Sequence, residues 1–170
     1  MINWSPETML LLTILVPLGA VGGIVSTGKW PNVREAMTIA ASVIVIYLVS
    51  ALYSITQSGT VVELTSSDLF AGLPLDFRIE PLGMLFSLVA GYLWLVTTIY
   101  SIGYMRGHEE ENQTRFFACF AVAISSVMGI AFADNLLTLF IFYEILTLST
   151  YPLVTHSGTD HAKKGGRVYL

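Results

Sequence analysis

The sequence predicts an all-α polytopic membrane protein: about five transmembrane helices, the first turn of a sixth, and a small surface β-hairpin between helices 2 and 3. Three observations predict it. The 170 residues are 54% hydrophobic and only 12% charged, roughly half the charged share of a soluble domain, and the mean hydropathy is +0.70. The few charges cluster between five apolar runs, each long enough to cross a hydrocarbon layer of ~30 Å. With five crossings, seven of the eight Lys and Arg residues fall on one side, leaving only Arg78 on the other. By the positive-inside rule the N-terminus is expected outside and the C-terminus cytoplasmic, and the membrane is expected to be the cell (cytoplasmic/inner) membrane.

Residues 1–170 read as a single membrane domain with spans at about 8–27, 36–56, 81–104, 116–133 and 135–156. The stretch Met1 to Glu7 lacks the basic region of a cleavable signal, so the first run is expected to stay as a span. Pro17, Gly19, Gly22 and Gly23 interrupt it, and Gly19 and Gly23 form a GxxxG pattern suited to close helix packing. A polar turn from Gly28 to Glu35 follows, with Trp30 placed for a membrane interface. The second span is rich in Ile, Val and Ala. Between Gln57 and Ile79, the segments Thr60–Leu64 and Leu75–Ile79 alternate like a short hairpin lying on the membrane surface.

Glu80 precedes Pro81, a favourable start for the third span. The loop after it carries Arg106, His108, Glu109, Glu110, Glu111 and Arg115, and the three adjacent acids read as a solvated loop. Ser125 and Ser126 in the fourth span are candidate interhelical hydrogen-bond donors. Asp134 and Asn135 then make a tight turn into the fifth.

That fifth span, Asn135 to His156, is the stretch around which the chain is organised, because Glu144 sits near its centre. A charge at the centre of an inserted helix costs upward of roughly 2.5–3.5 kcal/mol, so such an acid stays protonated or faces a cation or water inside a bundle. Either state makes Glu144 a candidate proton or ion site. Thr147 and Tyr151, at i+3 and i+7, place two hydroxyls on its face. Pro152 cannot donate to the carbonyl of Leu148 and is a candidate kink. His156, about 18 Å along the helix from Glu144, is a candidate for proton entry at the cytoplasmic end, with Asp160 and His161 near it in sequence. The tail from Ser157 holds Lys163, Lys164 and Arg167 and stops at Val168, Tyr169 and Leu170, apolar residues expected to begin another helix. A chain ending there reads as one piece of a split protein or an incomplete one.

Covalent chemistry is not expected. Cys119 is the only cysteine, and with three scattered His residues it makes no metal-ligand spacing. No phosphate-binding loop or nucleophile triad is present, no cofactor is implied, and without a basic patch there is no nucleic-acid partner.

The run Leu139-Phe140-Ile141-Phe142-Tyr143-Glu144-Ile145-Leu146-Thr147-Leu148-Ser149-Thr150-Tyr151-Pro152 resembles the Glu-bearing helix of the antiporter-like subunits. These subunits are shared by Mrp-type sodium/proton antiporters, the proton-pumping arm of complex I and membrane-bound hydrogenases. Leu75-Asp76-Phe77-Arg78-Ile79-Glu80-Pro81-Leu82-Gly83-Met84-Leu85-Phe86 is similar to the family's entry into its third helix. Within the family the resemblance is to the D-like branch of the Mrp antiporters, and only to its N-terminal portion. The resemblance implies that Glu144 pairs with a lysine on a later, discontinuous helix and passes protons or sodium along a hydrated mid-membrane path. Family members carry many more helices, arranged as inverted repeats. The partner lysine is absent from this chain, because Lys163 and Lys164 lie in the polar tail. The implied partners are therefore the lipid bilayer and other membrane subunits, one of which supplies the lysine-bearing helix. Two other readings stay open: a non-conducting scaffold, and a subunit of a redox-driven complex I-like or hydrogenase pump.

Overall fold

The computed structural model describes residues 4–65, 74–156 and 159–169. Its elements are α1 (Pro6–Ser26), α2 (Pro31–Gln57), β1 (Glu63–Thr65), β2 (Asp76–Arg78), α3 (Pro81–Gly107), α4 (Gln113–Ala131), α5 (Leu136–Val154) and α6 (Asp160–Tyr169). Helices α1 to α5 are each long and apolar enough to cross a membrane. The chain is a multi-pass membrane protein.

Proline opens three of these helices. Pro6, Pro31 and Pro81 each sit in the first helical turn, where a missing N–H costs nothing and the fixed φ already suits a helix. Because α2 starts at Pro31, Arg34 and Glu35 belong to its first turns and not to a polar connection. The tail also differs from expectation: Asp160–Tyr169 is helical as a whole. The side chains of Asp160, His161 and Lys163 lie outside the described ones.

Helices α1, α2, α3 and α4 form a closed ring in which each packs on its neighbours, and α5 lies outside that ring, chiefly against α4. Lipid offers no hydrophobic drive for helices to associate, so contact depends on close packing and interhelical hydrogen bonds. Both are present. A Cβ on Gly83 would strike the Ala131 carbonyl oxygen, so glycine there brings the backbones of α3 and α4 together. Gly23 meets the Met37 side chain of α2, whereas nothing lies near Gly19. The GxxxG pattern thus packs inside the chain, at one of its two positions. Ser125 Oγ donates to the Ile14 carbonyl of α1 at 2.7 Å, while Ser126 returns its hydroxyl to Val122 of its own helix.

The two ends of the bundle differ. At the charged end, Arg106 of α3 forks onto both carboxylate oxygens of Glu35, at 3.0 and 2.6 Å. Arg34 donates to Gln113 Oε1 at 2.8 Å and Thr114 Oγ1 at 3.1 Å, and its guanidinium lies 5.4 Å from the centre of the Phe117 ring. Together these residues tie α2, α3 and α4. At the opposite end, β1 and β2 pair antiparallel with Leu64 opposite Phe77. The hairpin expected from the alternation is present, and residues 66–73 that join its strands lie outside the described ones.

Candidate functional site

The site begins with how α5 is held, since that decides where Glu144 points. Asn135 caps the helix: its side-chain oxygen accepts from the Thr138 N–H at 2.7 Å, while its Nδ2 donates to the Pro74 carbonyl and to Asp76 Oδ2, both at 3.0 Å. Thr138 Oγ1 accepts from the Asp76 N–H at 3.0 Å, and the Asp134 N–H donates to the Asp76 carbonyl at 2.9 Å. Arg78 reaches both Glu63, at 3.0 Å, and Asp134, at 3.4 Å. The hairpin therefore fixes the start of α5 to the end of α4.

Midway, Phe142 lies over Gly129 of α4, where a Cβ would overlap its ring, and meets Phe77 of the hairpin edge-on at 5.8 Å. At the far end, Gly166 of α6 is buried against Tyr151 and Thr155. Tyr151 and Thr155, against α6, face the opposite way from Asn135, Thr138 and Phe142, which anchor one side of α5 to the hairpin and α4. Among its described residues only Thr138 and Ser149 are fully buried.

Glu144 lies on the other side. At about 100° per residue it is turned well over a right angle from Phe142. Its side chain is exposed and makes no hydrogen bond or ion pair with a described residue. Phe140, Tyr143 and Leu148 are also exposed on this side, at 59%, 57% and 65%. Thr147 and Tyr151 are half-buried on the helix face shared with Glu144. Thr147 donates its hydroxyl to the Tyr143 carbonyl at 3.0 Å, and α5 continues through Pro152 to Val154.

His156 stands at the charged end, away from Glu144. Its Nε2 is 3.9 Å from Glu110 Oε2, its ring meets Phe116 edge-on at 5.6 Å, and Arg115 donates to its carbonyl at 3.3 Å. Neither ring nitrogen has a hydrogen-bond partner among the described residues. His156 and Arg115, with His108 and Glu109 to Asn112, line a polar cleft of about 470 Å³. Sequence reasoning sets Glu110 apart in a solvated loop, and no local signal joins positions so distant in the chain.

Comparison with known proteins agrees with this architecture. Residues 69–117 match the family model described as the N-terminus of chain 5 of NADH-ubiquinone oxidoreductase (complex I). Na(+)/H(+) antiporter subunit A1 of Staphylococcus aureus strain bovine RF122 / ET3-1 is 26% identical over 113 residues, 66% of this chain. The same protein of strain JH9 matches to the same extent. These relatives carry the name A1, not that of the D-like branch expected from the sequence. The aligned part is 14% of their length. A chain of the membrane-bound sulfane sulfur reductase, an archaeal respiratory membrane complex, superposes with a TM-score of 0.81 at 17% identity. That superposition covers 94% of this chain and 33% of the other, and it shows the shared fold.

Proposed function

We propose that this chain, which is similar to part of the antiporter-like subunits of Mrp and complex I-like assemblies, is an ion-translocating subunit or the N-terminal half of one. In it Glu144 would bind and release a proton, or hold a sodium ion, at mid-membrane. The observation that carries the reading is the outward position of Glu144. It projects from the one membrane helix that stands outside the ring, on a face with Thr147 and Tyr151, and no described residue pairs with it. A carboxyl left facing hydrocarbon is costly. This face is therefore suited to further protein, and the complement of a lone acid is a cation. A lysine on a helix supplied from outside the described residues would fill that role.

The mechanism then follows from charge alone. When the lysine approaches, the carboxylate is favoured and a proton leaves; when it withdraws, the neutral acid is favoured and a proton is taken up. Thr147 and Tyr151 would line the path, and the cleft around His156 would be its mouth at the charged end, which we assign to the cytoplasmic side. Whether an ion gradient or a redox reaction drives the lysine, Glu144 does the same work. The test is ion flux in vesicles carrying the whole assembly. Glu144→Gln, which keeps size and removes titration, should reduce coupled transport to background while the assembly still forms. Wild-type transport by that variant would make the chain a scaffold.

A further inference from the structure

A second set of polar groups lies inside the four-helix ring, well away from α5. Ser87, Gly91, Trp94, Thr98, Ser101 and Met105 form the buried face of α3. Trp94 is 1% exposed and Thr98 0%. The indole N–H of Trp94 and the hydroxyl of Thr98 have no hydrogen-bond partner among the described residues. They are one turn apart on the same face. Three other threonines within these helices, Thr13, Thr38 and Thr147, each donate to the carbonyl four residues back, at 2.9 to 3.1 Å. The equivalent acceptor for Thr98 is the Trp94 carbonyl, and that bond is not made.

Helices α2 and α4 flank this turn. Arg106 meets Asn32 and Glu35, and Gly91 meets Val45 and Val49, so the Trp94–Thr98 turn runs beside residues of α2 between those points. On α4 the corresponding anchors are Gln113 at Met105 and Met128 at Gly91. The buried residues in these stretches include the short Thr38, Ala41 and Ser42 on α2 and Ala118 and Ala121 on α4, beside the larger Phe117 and Ile124 of α4. An unpaired buried N–H or hydroxyl costs about 1–3 kcal/mol, and a membrane offers no bulk water to relieve it.

We propose that the ring binds ordered water here, bridging Trp94 Nε1 and Thr98 Oγ1 between α2, α3 and α4. Water is the ligand whose chemistry fits. The indole can only donate, so it needs an acceptor and repels a cation, whereas the threonine hydroxyl both donates and accepts. Ser42 gives its hydrogen to the Ile39 carbonyl at 2.8 Å and keeps lone pairs free to accept a further bond. A water with two to four such partners is an ordinary buried water. Toward the charged end Thr38 and Ser101 are also buried, between this turn and the Arg34, Glu35 and Arg106 cluster in chain order.

The test uses the full chain in lipid nanodiscs with ¹⁵N-labelled tryptophan. A cross-peak between water and the Trp94 indole N–H is expected, alongside the one from Trp30, which is 63% exposed and serves as the control. Its absence at Trp94 overturns the proposal. Thr98→Val gives the second readout, since it keeps the shape and deletes only the hydroxyl. With water bound it should lower the melting temperature by about 2 °C or more, and combining it with Trp94→Phe should be non-additive because both remove partners of the same water. In a dry site the orphan hydroxyl is pure cost, so an unchanged or raised melting temperature also overturns the proposal.

Discussion

Glu35 and Glu144 are both glutamates on membrane helices of one small bundle, and they are held in opposite ways. Glu35 is 5% exposed, lies near a helix start, and takes a two-pronged hydrogen bond from Arg106 with Arg34 3.6 Å away. Glu144 is exposed at mid-helix, and no described residue pairs with it. The first carboxylate is committed to holding α2 against α3. The second does nothing for the fold, because Phe142 and Asn135 do the work of seating α5. An acid at mid-helix without a structural job is the one suited to change its charge.

The comparison can be broken by exchanging the consequences. The largest effect is expected from Glu144→Gln, which should abolish transport yet leave stability within about 0.5 kcal/mol of wild type, as for other exposed substitutions. Glu35→Gln should do the reverse. Removing one partner of a buried ion pair costs about 3 kcal/mol, taken at the low end because Arg106 is half-exposed. Thermal unfolding in detergent should show that loss, and any transport deficit should scale with the folded fraction. If the two variants behaved alike in both assays, the distinction between the acids would fail.

Smaller effects sharpen it. Gly129→Ala places a methyl where the Phe142 ring lies and should cost about 1–3 kcal/mol through overpacking. It should also tilt α5, so transport should fall although Glu144 is intact. Asn135→Ala removes the cap of α5 and its ties to Pro74 and Asp76. It should cost about 1 kcal/mol, and hydrogen exchange should rise first in the opening turn of α5.

Much of this was legible in the sequence. The five helices follow from apolar length, the hairpin from alternation around Leu75–Ile79, and the interhelical bond of Ser125 from a hydroxyl in an apolar run. Spacing alone places Glu144, Thr147 and Tyr151 on one face. The direction of that face was not legible, because it depends on Phe142 settling over Gly129 and on hairpin contacts from some sixty residues upstream. Arg34 and Glu35 read as a polar turn for the same kind of reason. Pro31 was the local hint of a helix start, but Glu35 is covered by Arg106 and Arg34 by Gln113, Thr114 and Phe117, all more than seventy residues later. Helix α6 has a charged, glycine-bearing sequence without an apolar run, and Gly166 resting on Tyr151 and Thr155 is a tertiary contact.

The account rests on Glu144 being an acid that titrates in the membrane. The most direct measurement is the rate at which a hydrophobic carbodiimide modifies it in the intact assembly, followed by mass spectrometry across a range of pH. Carbodiimides attack the protonated carboxyl, so the account predicts that Glu144 is labelled and that the rate falls as pH rises. An unlabelled Glu144, or a rate indifferent to pH, would mean a permanently packed neutral acid and would contradict it.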